Sequence, residues 1–472
     1  MVRIIETNEN KIGLFSLVGI IISGIVGAGI FNLMKEMAST ASAGVTLIGW
    51  LIAGIGMGSL AMCMIYLNRS RPDLNAGIFS YAQVGFGDYI GFNSVWGYWI
   101  SIIIGNVAFG TLLFSSLGYF FPIFGNGQNI PSIIGASIAL WIIFFILTRG
   151  LKKATMINTM VMIAKSVPIL IFIVCVIAGF NKNIFIQDFW GSSSSQSNQS
   201  ILEQLKGTVL VTVWVFIGIE GAVVFSGRAK KRSDVGKATF LGFLSVILIY
   251  SITTVFSFGI MSQEELSSLP NPAMAYVLER IIGKTGATIV NIGVIISVSG
   301  AWISNTLLAE EVAFQAGKNK LFPKFFTKEN KHLMPSSSIF VTCLIVQLLL
   351  LSFLVTENAY SLLSQLSSST ILLPYTCVAL FQLKECLKSK EKLPISFYVV
   401  GILASVYMFW LIYASGTKYL LLTILALFPG TVLYIYVKRK NNFKIFKAYE
   451  IVMFSTLFIL FLYGMFHIGD LL

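Results

Sequence analysis

Ser23-Gly24-Ile25-Val26-Gly27-Ala28-Gly29-Ile30-Phe31 lies in the middle of the first long apolar run, Ile12 to Met34. The run is long enough to cross a bilayer, which takes about 20 apolar residues. Its centre nevertheless holds three glycines in six residues, Gly24, Gly27 and Gly29. Each weakens a helix by roughly 1 kcal/mol against alanine. A bilayer offers no water to the peptide groups that a break lays bare. The stretch therefore predicts a helix interrupted at mid-membrane, with its bared N–H groups facing protein, water or a bound group. The second half-helix starts at the gap with its amides and positive dipole end aimed into it, a place suited to a carboxylate. Tight packing on a small-residue face is the competing reading of the same glycines.

Composition sets the frame around this stretch. The chain has 472 residues, of which 56% are hydrophobic and 11% charged, and a mean hydropathy of +0.83. These values exclude a soluble domain and predict an all-α polytopic membrane protein in contact with the lipid bilayer. The net charge is +13, gathered between particular apolar runs: Arg69 and Arg71, Arg149 to Lys153, Arg228 to Lys237, Lys318 to Lys331, Lys384 to Lys392 and Lys438 to Lys447. The alternate loops are nearly free of Lys and Arg, which is the positive-inside pattern. It places the amino-terminal tail, residues 1–11, and these clusters in the cytoplasm. A nucleic-acid surface is set aside on the same ground. Glu6, Glu9 and Lys11 precede the first run with no small-residue cleavage site after it, so no removable signal peptide is expected. Five cysteines and two histidines show neither a disulfide framework nor metal-ligand spacing, so no metal and no cofactor are expected.

In chain order the apolar runs number twelve, with a thirteenth, Ile451–Ile468, after the last basic cluster. The third is set at Phe86 to Phe121. The sixth is interrupted like the first, at Trp214-Val215-Phe216-Ile217-Gly218-Ile219-Glu220-Gly221. Corresponding broken helices in two halves point to an inverted repeat with a site at mid-membrane. The expected division is 12–180 for the first repeat, 206–382 for the second, 394–437 for two further helices and 448–470 for the extra span.

Several mid-span residues carry chemistry. Glu220 is a costly intramembrane carboxylate, suited to a proton or to a cationic partner, with a structural hydrogen bond to broken backbone as its bland alternative. Lys165 is equally costly and could fill a cation's place or switch a proton; snorkelling is its bland alternative. Trp214, Tyr98 and Trp302 offer faces to a cation, though packing explains any single aromatic as well. Asn106 and Ser367 could meet a substrate amine or carboxylate, or a neighbouring helix. Glu310 and Glu311 are expected to pair with Lys318 or face solvent. Catalytic residues are not expected: Gly283-Lys284-Thr285 lacks the upstream glycine of a phosphate loop, and no hydrolase or zinc motif occurs.

The stretch Gly77-Ile78-Phe79-Ser80-Tyr81-Ala82-Gln83-Val84-Gly85-Phe86-Gly87-Asp88, with Gly91-Phe92-Asn93 and Gly97-Tyr98-Trp99 through Gly105-Asn106, resembles the basic amino acid/polyamine antiporters. These belong to the amino acid–polyamine–organocation transporters, and within them the likeness is to the arginine/ornithine antiporters. The resemblance covers residues 10 to 440. It implies five-plus-five inverted repeats, a LeuT-like fold with 12–13 transmembrane helices, and unwound first and sixth helices. It implies that Gly27, Ala28 and Gly29 bind the substrate carboxylate, with alanine where related arginine/agmatine antiporters have serine. It places Tyr98, Tyr375 and Trp302 as gating residues, and Tyr98, Asn106, Trp214, Asn305 and Ser367 at the substrate. Glu220 and Lys165 match its charge- and proton-coupling residues. The eighth-helix tryptophan that packs on arginine aligns with Asn305, and Trp302 lies about one turn away. The implied protein is an exchanger of amino acids and amines in a bacterial plasma membrane, with a homodimer as a candidate assembly. A histidine/histamine-type exchanger, a proton-coupled permease without obligate exchange, and a channel or transporter-like receptor remain as rivals.

Overall fold

The computed structural model describes residues 14, 18, 19, 22, 25–74, 78–149, 154–191, 199–220, 232–351, 359–390 and 392–471. Ser23, Gly24 and Gly221 of the two interrupted stretches, the tail 1–11 and residues 228–231 lie outside them. Regular structure among the described residues is helical throughout. The first run gives way to α1 (Leu33–Ala38), followed by α2 (Ala43–Ser70), α3 (Ile78–Phe86), α4 (Asp88–Phe120), α5 (Ile130–Thr148) and α6 (Ala154–Ala178). Next come α7 (Ile201–Phe216), α8 (Arg232–Val255), α9 (Gln263–Ser268), α10 (Ala273–Ile282) and α11 (Lys284–Lys318). The chain continues with α12 (Ser336–Leu350), α13 (Ala359–Lys388), α14 (Ile395–Ala414), α15 (Gly416–Leu427), α16 (Gly430–Lys440) and α17 (Ala448–Phe466). Among the described residues, nine helical segments are long and apolar enough to cross a membrane. The protein is an all-α, multi-pass membrane protein.

Burial separates the centre from the edge. The apolar part of α4 is 94% buried and that of α13 78%, against 33% for α5 and α14 and 11% for α17. The two inner helices are joined by a reciprocal pair: Ser101 Oγ donates to the Ser367 carbonyl at 2.8 Å, and Ser367 Oγ to the Ser101 carbonyl at 2.7 Å. Small polar residues allow such close approach where lipid gives no hydrophobic drive. The outer helices leave large apolar side chains exposed, Leu51, Ile138, Val174 and Val406 among them. Those faces suit hydrocarbon.

Local signals explain the helix ends. Gly87 takes a φ of +104°, open to glycine at no cost, and turns the chain between α3 and α4. The third span therefore starts at Asp88, two residues later than expected from its apolar run. Asn129 caps α5 by accepting from the Ser132 amide at 3.0 Å, and Ser200 with Glu203 forms a capping box on α7. The first span also runs further than expected: α1 carries the chain past Met34 to Ala38 and draws Lys35 and Glu36 into the bundle. At the far end of the sequence, α17 is a helix of 19 residues. Its start is pinned beneath α4, where the Tyr89 amide donates to Glu450 Oε1 at 3.1 Å and the Tyr449 hydroxyl to the Phe86 carbonyl at 3.0 Å. Asp88 and Lys438 pair beside it at 2.5 Å.

Candidate substrate-binding site

Both glycine-rich stretches come undone. The helix of the first run ends at Ile25; Val26 bends, Gly27 is extended (φ −96°, ψ −158°), and a 3-10 turn, Ala28–Phe31, leads into α1. The amides of Gly27, Ala28 and Gly29 meet no backbone acceptor among the described residues. In the second stretch α7 stops at Phe216, Ile217 turns out of the helix (φ −57°, ψ 129°), and Gly218 takes a φ of +105°. The two breaks face one another. A Cβ built on Gly29 would stand 2.8 Å from Trp214 Nε1 and 3.0 Å from Val215 Cγ1. Only glycine lets the chain pass this closely.

One residue fastens the two breaks together. The Tyr250 hydroxyl on α8 lies 3.0 Å from the Ile25 carbonyl and 2.9 Å from the Val215 carbonyl, both left over where helices stop. Lys165 on α6 serves the next carbonyl, with Nζ donating to Val26 O at 2.8 Å. The lysine is thus drawn into the break, and snorkelling does not describe it.

Below the second break lies a knot of acid and phenol. Tyr98 donates to Glu220 Oε1 at 2.5 Å, Tyr375 to Oε2 at 2.7 Å, and the Gly218 amide to Oε2 at 3.2 Å. Helices α4 and α13 therefore meet the broken sixth span through one carboxylate. On the other side, Trp214 Nε1 donates to the Tyr360 hydroxyl at 3.3 Å, and its ring packs near Phe109 with centroids 6.1 Å apart.

The remaining expected residues divide. Asn106 is fully buried; its Nδ2 donates to Thr306 Oγ1 at 3.3 Å, while its Oδ1 has no partner among the described residues. A buried acceptor left open can take a further N–H. Ser367 is engaged with Ser101, the helix-bonding alternative. Trp302 is fully buried, a Cβ on Gly110 would stand 3.3 Å from its ring, and its Nε1 has no partner among the described residues. Asn305 is half-buried. The expectation for the two glutamates fails in part. Glu311 is exposed and accepts from Gln315 Nε2 at 2.6 Å, but Glu310 is buried, and Lys318 points its Nζ over Phe314, 4.1 Å from the ring centroid. The Lys318 stem reaches the aromatic face before it reaches a carboxylate.

Sequence reading missed Tyr250 and a second buried acid. Glu36 accepts from Asn32 Nδ2 at 3.0 Å and from Ser361 Oγ on α13 at 2.8 Å. Asn32 in turn accepts from the Ala273 amide at 3.1 Å, Lys35 donates to Asn271 Oδ1 at 3.3 Å, and Gln263 donates to the Ala38 carbonyl at 3.0 Å. Lys35-Glu36 reads as a membrane edge when it follows an apolar run, so its burial left no mark in the pattern.

The chain as a whole has known relatives. A family model described as amino acid permease matches residues 12–416. The chain is 41% identical over 466 residues to the arginine/ornithine antiporter of Pseudomonas aeruginosa, covering 96% of each. It is 40% identical over 461 residues to the arginine/agmatine antiporter of Chlamydia pneumoniae, covering 95% of each. Against the arginine/ornithine antiporter of Latilactobacillus sakei it is 40% identical over 440 residues, 93% of this chain and 92% of the relative. By the extent of these matches, the chain belongs to the amino acid permease family.

Proposed function

We propose that the protein exchanges an amino acid for an amine or a second amino acid by alternating access around its two breaks. The observation that carries this reading is the break at Gly27, Ala28 and Gly29, whose amides meet no backbone acceptor among the described residues and whose Gly29 stands against Trp214 beside the second break. A zwitterion's carboxylate would meet those amides. Its ammonium would find the open Asn106 Oδ1, and its side chain would lie along Trp214 toward Asn305. Glu220, held by Tyr98 and Tyr375, would couple charge or protons to the closing of the inner side, with Lys165 supporting the first break. Ser367 and Trp302 would act by holding α4 against α13 and α11. The relatives named as arginine/ornithine and arginine/agmatine antiporters support exchange of a basic amino acid. The positive-inside pattern supports a cytoplasmic amino terminus in a bacterial plasma membrane, and the paired breaks support repeats over 12–180 and 206–382.

A second reading of the side-chain pocket rests on Asn305. It stands where the resemblance places an arginine-stacking tryptophan, and the Trp302 ring, about one turn away, is packed against Gly110. An exchanger of the histidine/histamine type fits this better.

The test is counterflow in proteoliposomes loaded in turn with arginine, ornithine, agmatine, histidine or histamine. Labelled amino acid should enter only loaded vesicles, and the internal species that drives it names the pair. Equal entry into empty vesicles under a pH gradient would replace exchange by proton-coupled uptake. Binding without saturable counterflow would leave a receptor.

A further inference from the structure

A second acidic place lies toward the Lys318 end of α11, away from the breaks. A cavity of about 470 Å³ opens there between α11 and the segment leading into α12. Its walls include Leu307, Leu308, Phe314 and Met334, with Ser304 at one side and Glu310 and Glu311 on the α11 wall. That volume falls in the range of about 300–1,000 Å³ used by small-molecule pockets.

Glu310 sets this cavity apart from a solvated groove. Its side chain is 1% exposed, and its Oε2 has no hydrogen-bond partner among the described residues. A buried carboxylate oxygen left unmatched is costly and calls for a cationic or hydrogen-bonding partner. Lys318, the cation expected to serve it, instead places its ammonium on the face of Phe314. The ammonium of Lys318 is thus spent on the ring's negative face and is not the partner of Glu310. Glu311, exposed beside the opening, adds a second negative charge where an incoming cation would arrive.

We propose that this cavity binds a primary amine carried on a short apolar chain, with the ammonium on Glu310 and the chain along Leu307 and Met334. The site lies on the cytoplasmic side in the orientation proposed above, so its occupant is the outgoing amine, held before it enters the central site. This assignment rests on the exchange reading; the binding itself does not.

Agmatine serves as the probe. Purified protein in vesicles free of amine-bearing lipid is treated with a hydrophobic carbodiimide, and total modification of Glu310, as N-acylurea together with any amide formed with the added amine, is read by mass spectrometry of its peptide. Agmatine and n-butylamine should each suppress the modification, whereas butanol should not. Modification that is indifferent to both amines would overturn the site. In transport, Glu310→Gln should raise the internal agmatine needed for half-maximal exchange by about tenfold, the worth of one ammonium–carboxylate contact. The external amino acid concentration for half-maximal uptake should not move, and Glu310→Asp should recover part of the loss. Equal losses on both faces would make Glu310 a purely structural residue. If wild-type vesicles show no exchange while the amines still protect Glu310, the binding site stands and the exchange reading falls.

Discussion

Gly29 has no room for a methyl group. A built Cβ stands 2.8 Å from Trp214 Nε1, and the indole is itself held by Tyr360 at 3.3 Å. Gly29→Ala must therefore push the ring or the break apart, an overpacking cost of about 1–3 kcal/mol. The expected outcome is a rise of about tenfold or more in the external half-saturation constant, with the protein still inserted and monodisperse by size exclusion. Gly19→Ala is the control, since nothing among the described residues stands within 4 Å of its built Cβ. At this scale the sequence was readable where a residue is expensive in hydrocarbon. Glu220 and Lys165 announced themselves by cost alone, and both stand at the breaks. Glu36 did not, because a neighbouring lysine made it look like the end of a span. Glu310 was noticed but given the wrong partner, since sequence spacing brings Lys318 within reach and says nothing of Phe314. Asn106 and Ser367 looked alike as mid-span polar residues; only packing separates an open acceptor from a helix clamp.

The helix breaks were legible because glycine clusters are local. What keeps them in register was not, because it comes from a third helix. Tyr250 belongs to α8, far along the chain from Ile25, and a tyrosine in an apolar run looks like any other aromatic. Tyr250→Phe keeps the ring and removes the hydroxyl that serves Ile25 and Val215. Leaving a buried carbonyl unmatched costs about 1–3 kcal/mol. A lower melting temperature in detergent, together with a slower exchange rate, is the expected result in thermal shift and counterflow assays. A variant that matches wild type in both would remove Tyr250 from its fastening role. The third span was mis-started for a related reason: hydropathy runs straight through Gly87, and only the positive φ there reveals the turn.

Across the molecule, charge placement and burial order the helices. Composition was enough to give a helical membrane protein, and it could not say which helices stand at the centre. The structure puts α4 and α13 there and leaves α17 at the rim with 11% burial. Lipid chains are as apolar as the side chains they would replace, so removing α17 loses little hydrophobic drive. Truncation after Lys447 should leave counterflow within about twofold of wild type, as peripheral changes usually do. Its melting temperature should fall, because the links from Glu450 to Tyr89 and from Tyr449 to Phe86 go with it. Abolished counterflow in an inserted, monodisperse truncation would place α17 in the transport unit. The bonds around α1 carry a mechanical consequence. Asn32 to Ala273, Lys35 to Asn271 and Gln263 to Ala38 yoke this short helix to α9 and α10. Bonded in this way, a displacement of any one of the three would carry the other two with it, and the extended peptide at Gly27 is where the chain enters the unit. Its seam with the inner helices runs through Glu36 to Ser361 on α13 and through Ser115 on α4 to the Asn271 carbonyl, so any swing of this unit must release two hydroxyls lent by the two most buried helices.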